Sequence, residues 1–205
     1  MPRWFRSSTG LRPLRFRALF VFTATVALFS ASIFLLRAAD GPEPPSQKTL
    51  AFENLILRMR FPDNWKATGQ GSSYNIAPDD GMVFDTKGGS SVAYGVVMNL
   101  YAASDTIGKK LSLDDATGQL IQSLMRANRN LHVSGSGEHM KVNGRDCVST
   151  RLTNDSPKGG KESDWLITTK QEDAVLYFVF VAPEADFGSY EGTFKNIVAS
   201  IRWRH

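Results

Sequence analysis

Histidine, cysteine and carboxylate side chains carry most enzyme chemistry, and here they are sparse or explained by local structure. His132, His139 and His205 are the three histidines, and His205 is the last residue. Metal-dependent hydrolysis needs several clustered ligands. No HExxH occurs, and although a hairpin across Gly135 and Gly137 could bring His132 and His139 together, no third ligand can be named. Glu138 beside His139 adds little. The pair reads as two surface histidines on strands, and neither metal nor cofactor is expected.

Nucleophilic chemistry has equally little support. There is no GxSxG elbow, and Ser134-Gly135-Ser136-Gly137 reads as a flexible turn. The single cysteine, Cys147, excludes an intramolecular disulfide and a cysteine zinc site. Within RDCVSTRL it suits a buried strand position, inert toward reagents. Asp79-Asp80 fit a turn, and Asp114-Asp115 fit the first turn of a helix, where negative charge suits the macrodipole. With Asp164 they are read as structural, so no carboxylate active site is expected. Lys109-Lys110 and Arg126 with Arg129 read as solvated faces.

Trp65 and Trp165 differ in kind, because tryptophan is a frequent interface anchor, although core packing is the first reading for each. Trp165 follows a polar stretch, Asp155 to Glu162, expected to be a mobile loop, and loops carry recognition while a scaffold supplies rigidity. The candidate binding residues are therefore Trp165, Ser156, Lys158 and Lys161.

These residues must be positioned by a chain of 205 residues, 42% hydrophobic and 21% charged, an ordinary globular composition. Its net charge of +4 is unevenly spread. Six arginines and no acid fall in residues 1–39, leaving 18 basic against 20 acidic residues in 40–205. The basicity belongs to the N-terminus, and nucleic-acid binding is not expected of the rest.

Ala18 to Leu36 is an uncharged run of 19 residues. As a helix it measures roughly 28 Å, enough to span a hydrocarbon core. Five arginines precede it, so the positive-inside bias puts the N-terminus in the cytoplasm and the remainder outside. A cleaved signal peptide is the rival reading, but Arg37 stands where cleavage after Ala39 wants a small residue. The expected organisation is a cytoplasmic basic tail over 1–17, a transmembrane anchor over 18–37, a stiff Pro-rich linker over 38–48, and an extracytoplasmic domain over 49–205. The expected location is the cytoplasmic membrane of a bacterium, single-pass, with the domain on the periplasmic side.

Within the domain, Leu55, Leu57 and Met59 alternate with Ile56, Arg58 and Arg60, and FPDNW closes that strand. Pro78-Asp79-Asp80-Gly81 is expected to join Tyr74–Ala77 to Met82–Asp85 as a hairpin, followed by a strand over 92–101. Ser112 with Asp115 forms an approximate capping box for an amphipathic helix to about Asn128. Strands follow over 132–136 and 138–142, then Asn143-Gly144 as a type I′ turn, then strands over 145–154, 164–170 and 174–182. AVLYFVFVA, the last of these, is apolar on both parities, so both its faces must be covered. A second helix after Pro183 carries Phe187, Tyr190, Phe194, Ile197, Val198 and Ile201 on one stripe. The fold class expected is α/β, a mostly antiparallel sheet flanked by helices and preceded by one N-terminal transmembrane helix.

RFPDNW at 60–65, Ile76-Ala77-Pro78, Gln119-Leu120 with Leu124, Asn143-Gly144-Arg145 and VFVAPE at 179–184 before Tyr190, Phe194 and Ser200-Ile201 resemble a PsbP-like domain. More narrowly they are similar to the bacterial kind that also follows zinc endopeptidase domains; that peptidase domain is missing from this chain. The resemblance covers about residues 50–203. It implies an accessory or binding protein rather than an enzyme, here one that recognises an envelope protein. Two other readings stay open. One is a hydrolase with an unrecognised site, marked by a cleft where His132 or His139 meets a carboxylate, and the other is a small-ligand-binding domain, marked by an apolar cavity between sheet and helix.

Overall fold

The strand with no polar parity sets the architecture. In the computed structural model, which describes residues 41–86, 88–103 and 111–204, this strand, β12 (Ala174–Pro183), lies at the centre of an eight-stranded antiparallel sheet. It pairs on one side with β11 (Lys161–Gln171) and on the other with β7 (Gly95–Tyr101). Beyond β7 come β4 (Ser73–Pro78) and β3 (Trp65–Gln70). Beyond β11 comes β10 (Arg145–Asp155), whose outer edge is shared by β8 (His132–Val133) and β9 (Glu138–Val142). The expected anchor, Ala18 to Leu36, and the tail before it lie outside the described residues, as do Lys109-Lys110 and His205. Among the described residues no helix is long and apolar enough to cross a membrane.

Alternation along β12 divides its side chains between two layers. Leu176, Phe178, Phe180 and Ala182 pack beneath α2 (Glu184–Ser200), which contributes Phe187, Tyr190, Phe194, Ile197 and Val198. The same layer holds a three-stranded sheet of β1 (Thr49–Glu53), β2 (Leu57–Pro62) and β13 (Arg202–Trp203), with Leu57, Met59 and Phe61 in the shared core. On the opposite face Val175 packs with Leu152, Leu166 and the α1 (Leu113–Ala127) residues Ala116 and Leu120. The hairpin of β5 (Met82–Phe84) and β6 (Ser90–Val92) covers Val181 and Ala77 farther along that face. The sheet is thus covered on both sides, as its apolar centre requires.

Several local readings hold in detail. Ser112 caps α1, its Oγ accepting from the Asp115 amide at 3.0 Å. Asn143 and Gly144 both take the positive φ that their tight turn demands. The hairpin expected at Pro78 to Gly81 does not form: Asp79–Gly81 is a 3-10 turn, and β5 pairs with β6 rather than with β4. Gly81 serves close approach instead of positive φ, since a Cβ there would lie 2.6 Å from the Tyr94 carbonyl oxygen. Its own carbonyl accepts from the amides of Ala93 and Tyr94, bending the expected 92–101 strand into β6 and β7.

The proline-rich segment does not stand free over its whole length. Pro42 is buried, and the Asn64 side chain donates to the Pro44 carbonyl at 2.9 Å and accepts from the Ser46 amide at 3.0 Å. Residues 42–46 thus pack against the β2–β3 turn.

Candidate functional site

The chemistry-bearing residues are scattered by this topology. His132 pairs with Thr153 and His139 with Val148, five residues apart along β10, which separates them by about 17 Å. His139 Nε2 lies 3.2 Å from Asp114 Oδ1, and both side chains are largely exposed. Cys147 is fully buried, and burial raises the pKa of its thiol. Among the described residues no group of three or more His, Cys, Asp or Glu side chains could hold a metal ion.

The polar stretch before Trp165 has a different form from the expected loop. Strands β10 and β11 extend to pair Asp155 with Lys161, leaving a tight turn over Ser156–Gly160. The Ser156 amide donates to the Gly160 carbonyl at 3.0 Å, and the Gly159 amide to the Ser156 carbonyl at 2.8 Å. Gly159 and Gly160 adopt φ of 93° and 75°, a conformation that side chains with a Cβ rarely take. Ser156 is buried and its Oγ accepts from the Lys158 amide, so its role is to shape the turn.

Lys158 and Lys161 are exposed. Lys158 Nζ sits 5.4 Å from the Tyr94 ring centre, and Lys161 Nζ is 2.5 Å from Asp155 Oδ1. That ion pair, with a hydrogen bond from Asn130, holds the Asp155 carboxyl below its usual range. Tyr94 donates to Asp186 Oδ2 at 2.6 Å. Burial, followed by the Asp186 contact, raises the Tyr94 hydroxyl pKa.

Trp165 is only 6% exposed and presents no accessible ring. Its Nε1 donates to Ser149 Oγ at 2.8 Å, and its ring lies 5.2 Å from that of Phe180. The Arg151 guanidinium covers its other side at 5.1 Å and is itself paired with Glu191 of α2 at 2.7 Å. The indole braces β11 from within, whereas the lysines face solvent.

Two carboxylates at the same end escape the sequence pattern. Glu162 and Asp164 occupy one face of β11, opposite Asn154 and Leu152 on β10 and Pro183 and Val181 on β12. They are 5% and 4% exposed. Asn154 Nδ2 donates to Glu162 Oε1 at 3.1 Å, while Glu162 Oε2 and Asp164 Oδ1 are buried with no hydrogen-bond partner. Burial raises Glu162 to about 7, with the Asp155 charge adding to it. Burial, with the neighbouring Glu162 charge, raises Asp164 to about 8. Asp164 thus belongs to neither the turn nor the helix-start class assigned to the other aspartates. One sequence signal could have found the pair: a ten-residue apolar β12 needs a partner of equal length, which carries β11 back through Glu162.

No family model matches the sequence, and no curated protein matches it. Several solved structures resemble the chain, three of them as follows. The solution structure of cyanobacterial PsbP (CyanoP) from Synechocystis sp. PCC 6803 is 10% identical, with a TM-score of 0.52, over 82% of this chain and 99% of that one. A Bacteroides thetaiotaomicron structure is 16% identical over 73% of this chain and 45% of that one, with a TM-score of 0.42. A Pseudomonas aeruginosa protein of unknown function, PA94, is 10% identical over 77% of this chain and 98% of that one, with a TM-score of 0.46. At these identities likeness speaks for fold alone. The chain has a PsbP-like α/β fold, a mostly antiparallel sheet with two helices.

Proposed function

We propose that this chain is a membrane-anchored, non-catalytic, extracytoplasmic module that binds an envelope protein through the Ser156–Gly160 turn and its exposed Lys158 and Lys161. The observation that carries this reading is the turn's position. A Cβ at Gly41 would lie 3.5 Å from the Tyr94 hydroxyl, and Lys158 packs on the same tyrosine ring. The recognition turn and the start of the domain therefore share one end. The expected linker between Leu36 and the domain is short in sequence, which favours a partner in or near the membrane. The periplasmic placement follows from the arginine asymmetry, and association with a zinc endopeptidase remains an analogy of sequence.

Photo-cross-linking probes at positions 158 and 161 of the full chain, in its native membranes, test the reading. A discrete protein adduct from these positions, not formed from a probe at Arg126 on α1, supports it. No adduct, together with hydrolytic turnover abolished by His132→Ala, transfers the assignment to an enzyme. Trp165→Ala is unsuited to this test, because removing that ring opens the core. The small-ligand alternative is favoured by one groove of about 260 Å³ between β2 and α2, floored by Phe61 and Ile197 and edged by Arg60.

A further inference from the structure

We propose that protonation of Glu162 and Asp164 keeps the β10–β11 end closed, and that their ionisation opens the Ser156–Gly160 turn; this rests on the reading of that turn as the recognition surface. Two acids on one face of a strand, both more than nine-tenths buried, each retain an oxygen with no partner. An ionised carboxylate in such a place needs a cation, donors or water.

Among the described residues, none of the elements packed around the pair supplies a cation to it. From β10, Asn154 gives its one amide hydrogen bond to Glu162, and Asp155 adds negative charge. From β12 the facing residues are Pro183 and Val181, neither titratable. The cluster beneath α1 contributes Ala116, Leu120, Leu131 and Leu152, and that beneath the β5–β6 hairpin contributes Ala77 and Val92. Two basic groups at this strand end are directed to Asp155 instead: Lys161 binds it, and His132 acts on it electrostatically. Asp164 sits between Leu152 of the first cluster and Val181 of the second, where no polar group answers it.

Charging these acids therefore favours any motion that admits water. The nearest route is the strand end itself, where two backbone hydrogen bonds close the turn and Asp155–Lys161 is the last register pair. Opening there wets Glu162 first and Asp164 next, while the centre of the sheet, held by β12, stays paired. The presentation of Lys158 and Lys161 then depends on pH near neutrality.

Amide hydrogen exchange of the full chain in nanodiscs, without any partner, reads this directly. From about pH 6 to about pH 9, after correction for intrinsic exchange, protection of the 156–164 amides is expected to fall by on the order of tenfold or more. The amides of β12 residues 176–179 are expected to keep theirs. Asp164→Asn and Glu162→Gln each shrink the pH response, since neither replacement can ionise. Protection that does not change with pH overturns the inference, as does a response retained in full by both variants. Because no partner is present, these outcomes are independent of cross-linking: pH-dependent opening without any adduct would reject the recognition reading and leave the switch standing.

Discussion

Phe180→Ala is the perturbation that most directly tests the layered packing. Phe180 is 0% exposed in the central strand, with ring centres of Trp165 at 5.2 Å, Phe194 at 5.3 Å and Phe178 at 6.4 Å. Its neighbours belong to three elements, β11, α2 and β12, so the cavity cannot collapse by moving one side chain. Truncating a buried phenylalanine costs about 3 to 5 kcal/mol. In a domain of this size each kcal/mol corresponds to about 2 to 4 °C, so the melting temperature should fall by roughly 6 to 20 °C. The companion variant on the other face, Leu166→Ala, is expected to cost about 2 to 5 kcal/mol, because Leu166 is equally buried beneath α1. Phe84, 72% exposed, supplies the control, and Phe84→Ala should stay within about 0.5 kcal/mol. Differential scanning calorimetry of the three variants against the parent gives the comparison. A Leu166→Ala protein that melts with the parent would refute the claim that both faces are covered. Parent-like melting of Phe180→Ala would refute the aromatic core itself.

Further expectations concern pH and topology. Both Glu162 and Asp164 have folded pKa values above their ordinary ones, so the stability they contribute is complete below about pH 4 and is lost as pH rises through about 7 and about 8. Each tenfold change in acidity corresponds to about 1.4 kcal/mol, so melting temperatures measured from pH 5 to 9 should decline on the alkaline side, and Asp164→Asn should flatten that decline. A parent that gains stability from about pH 6 to 9 would contradict the burial of these acids. Protease added to spheroplasts should digest residues 40–205 while the membrane stays sealed, and alkaline extraction should leave the full-length chain in the pellet. Digestion only after lysis would reverse the orientation, and a soluble, shortened product would replace the anchor with a cleaved signal.

Much of the fold was legible because its signals are local. Ser112, Asp115 and the apolar spacing after them specify α1, Asn143-Gly144 specifies a turn, and the unbroken apolar run of β12 demands cover on both faces whatever the topology. Pairing partners are not local. Pro78 to Gly81 carries hairpin residues, yet the approach of the Tyr94 backbone to Gly81 makes it a bend, and β4 turns to β3 and β7. Trp165 has the composition of an anchor, but whether its ring meets solvent depends on Ser149, Arg151 and Phe180, distant in sequence. Glu162 reads as a loop residue until β12 extends β11 around it, and the environment that raises its pKa exists only once three strands and two covering layers have met. Local patterning specifies most of the elements, the charge asymmetry and the need for a two-sided core. Which polar groups are left in water, and which are buried without partners, was decided by tertiary structure, because burial belongs to the assembled layers and not to any one segment.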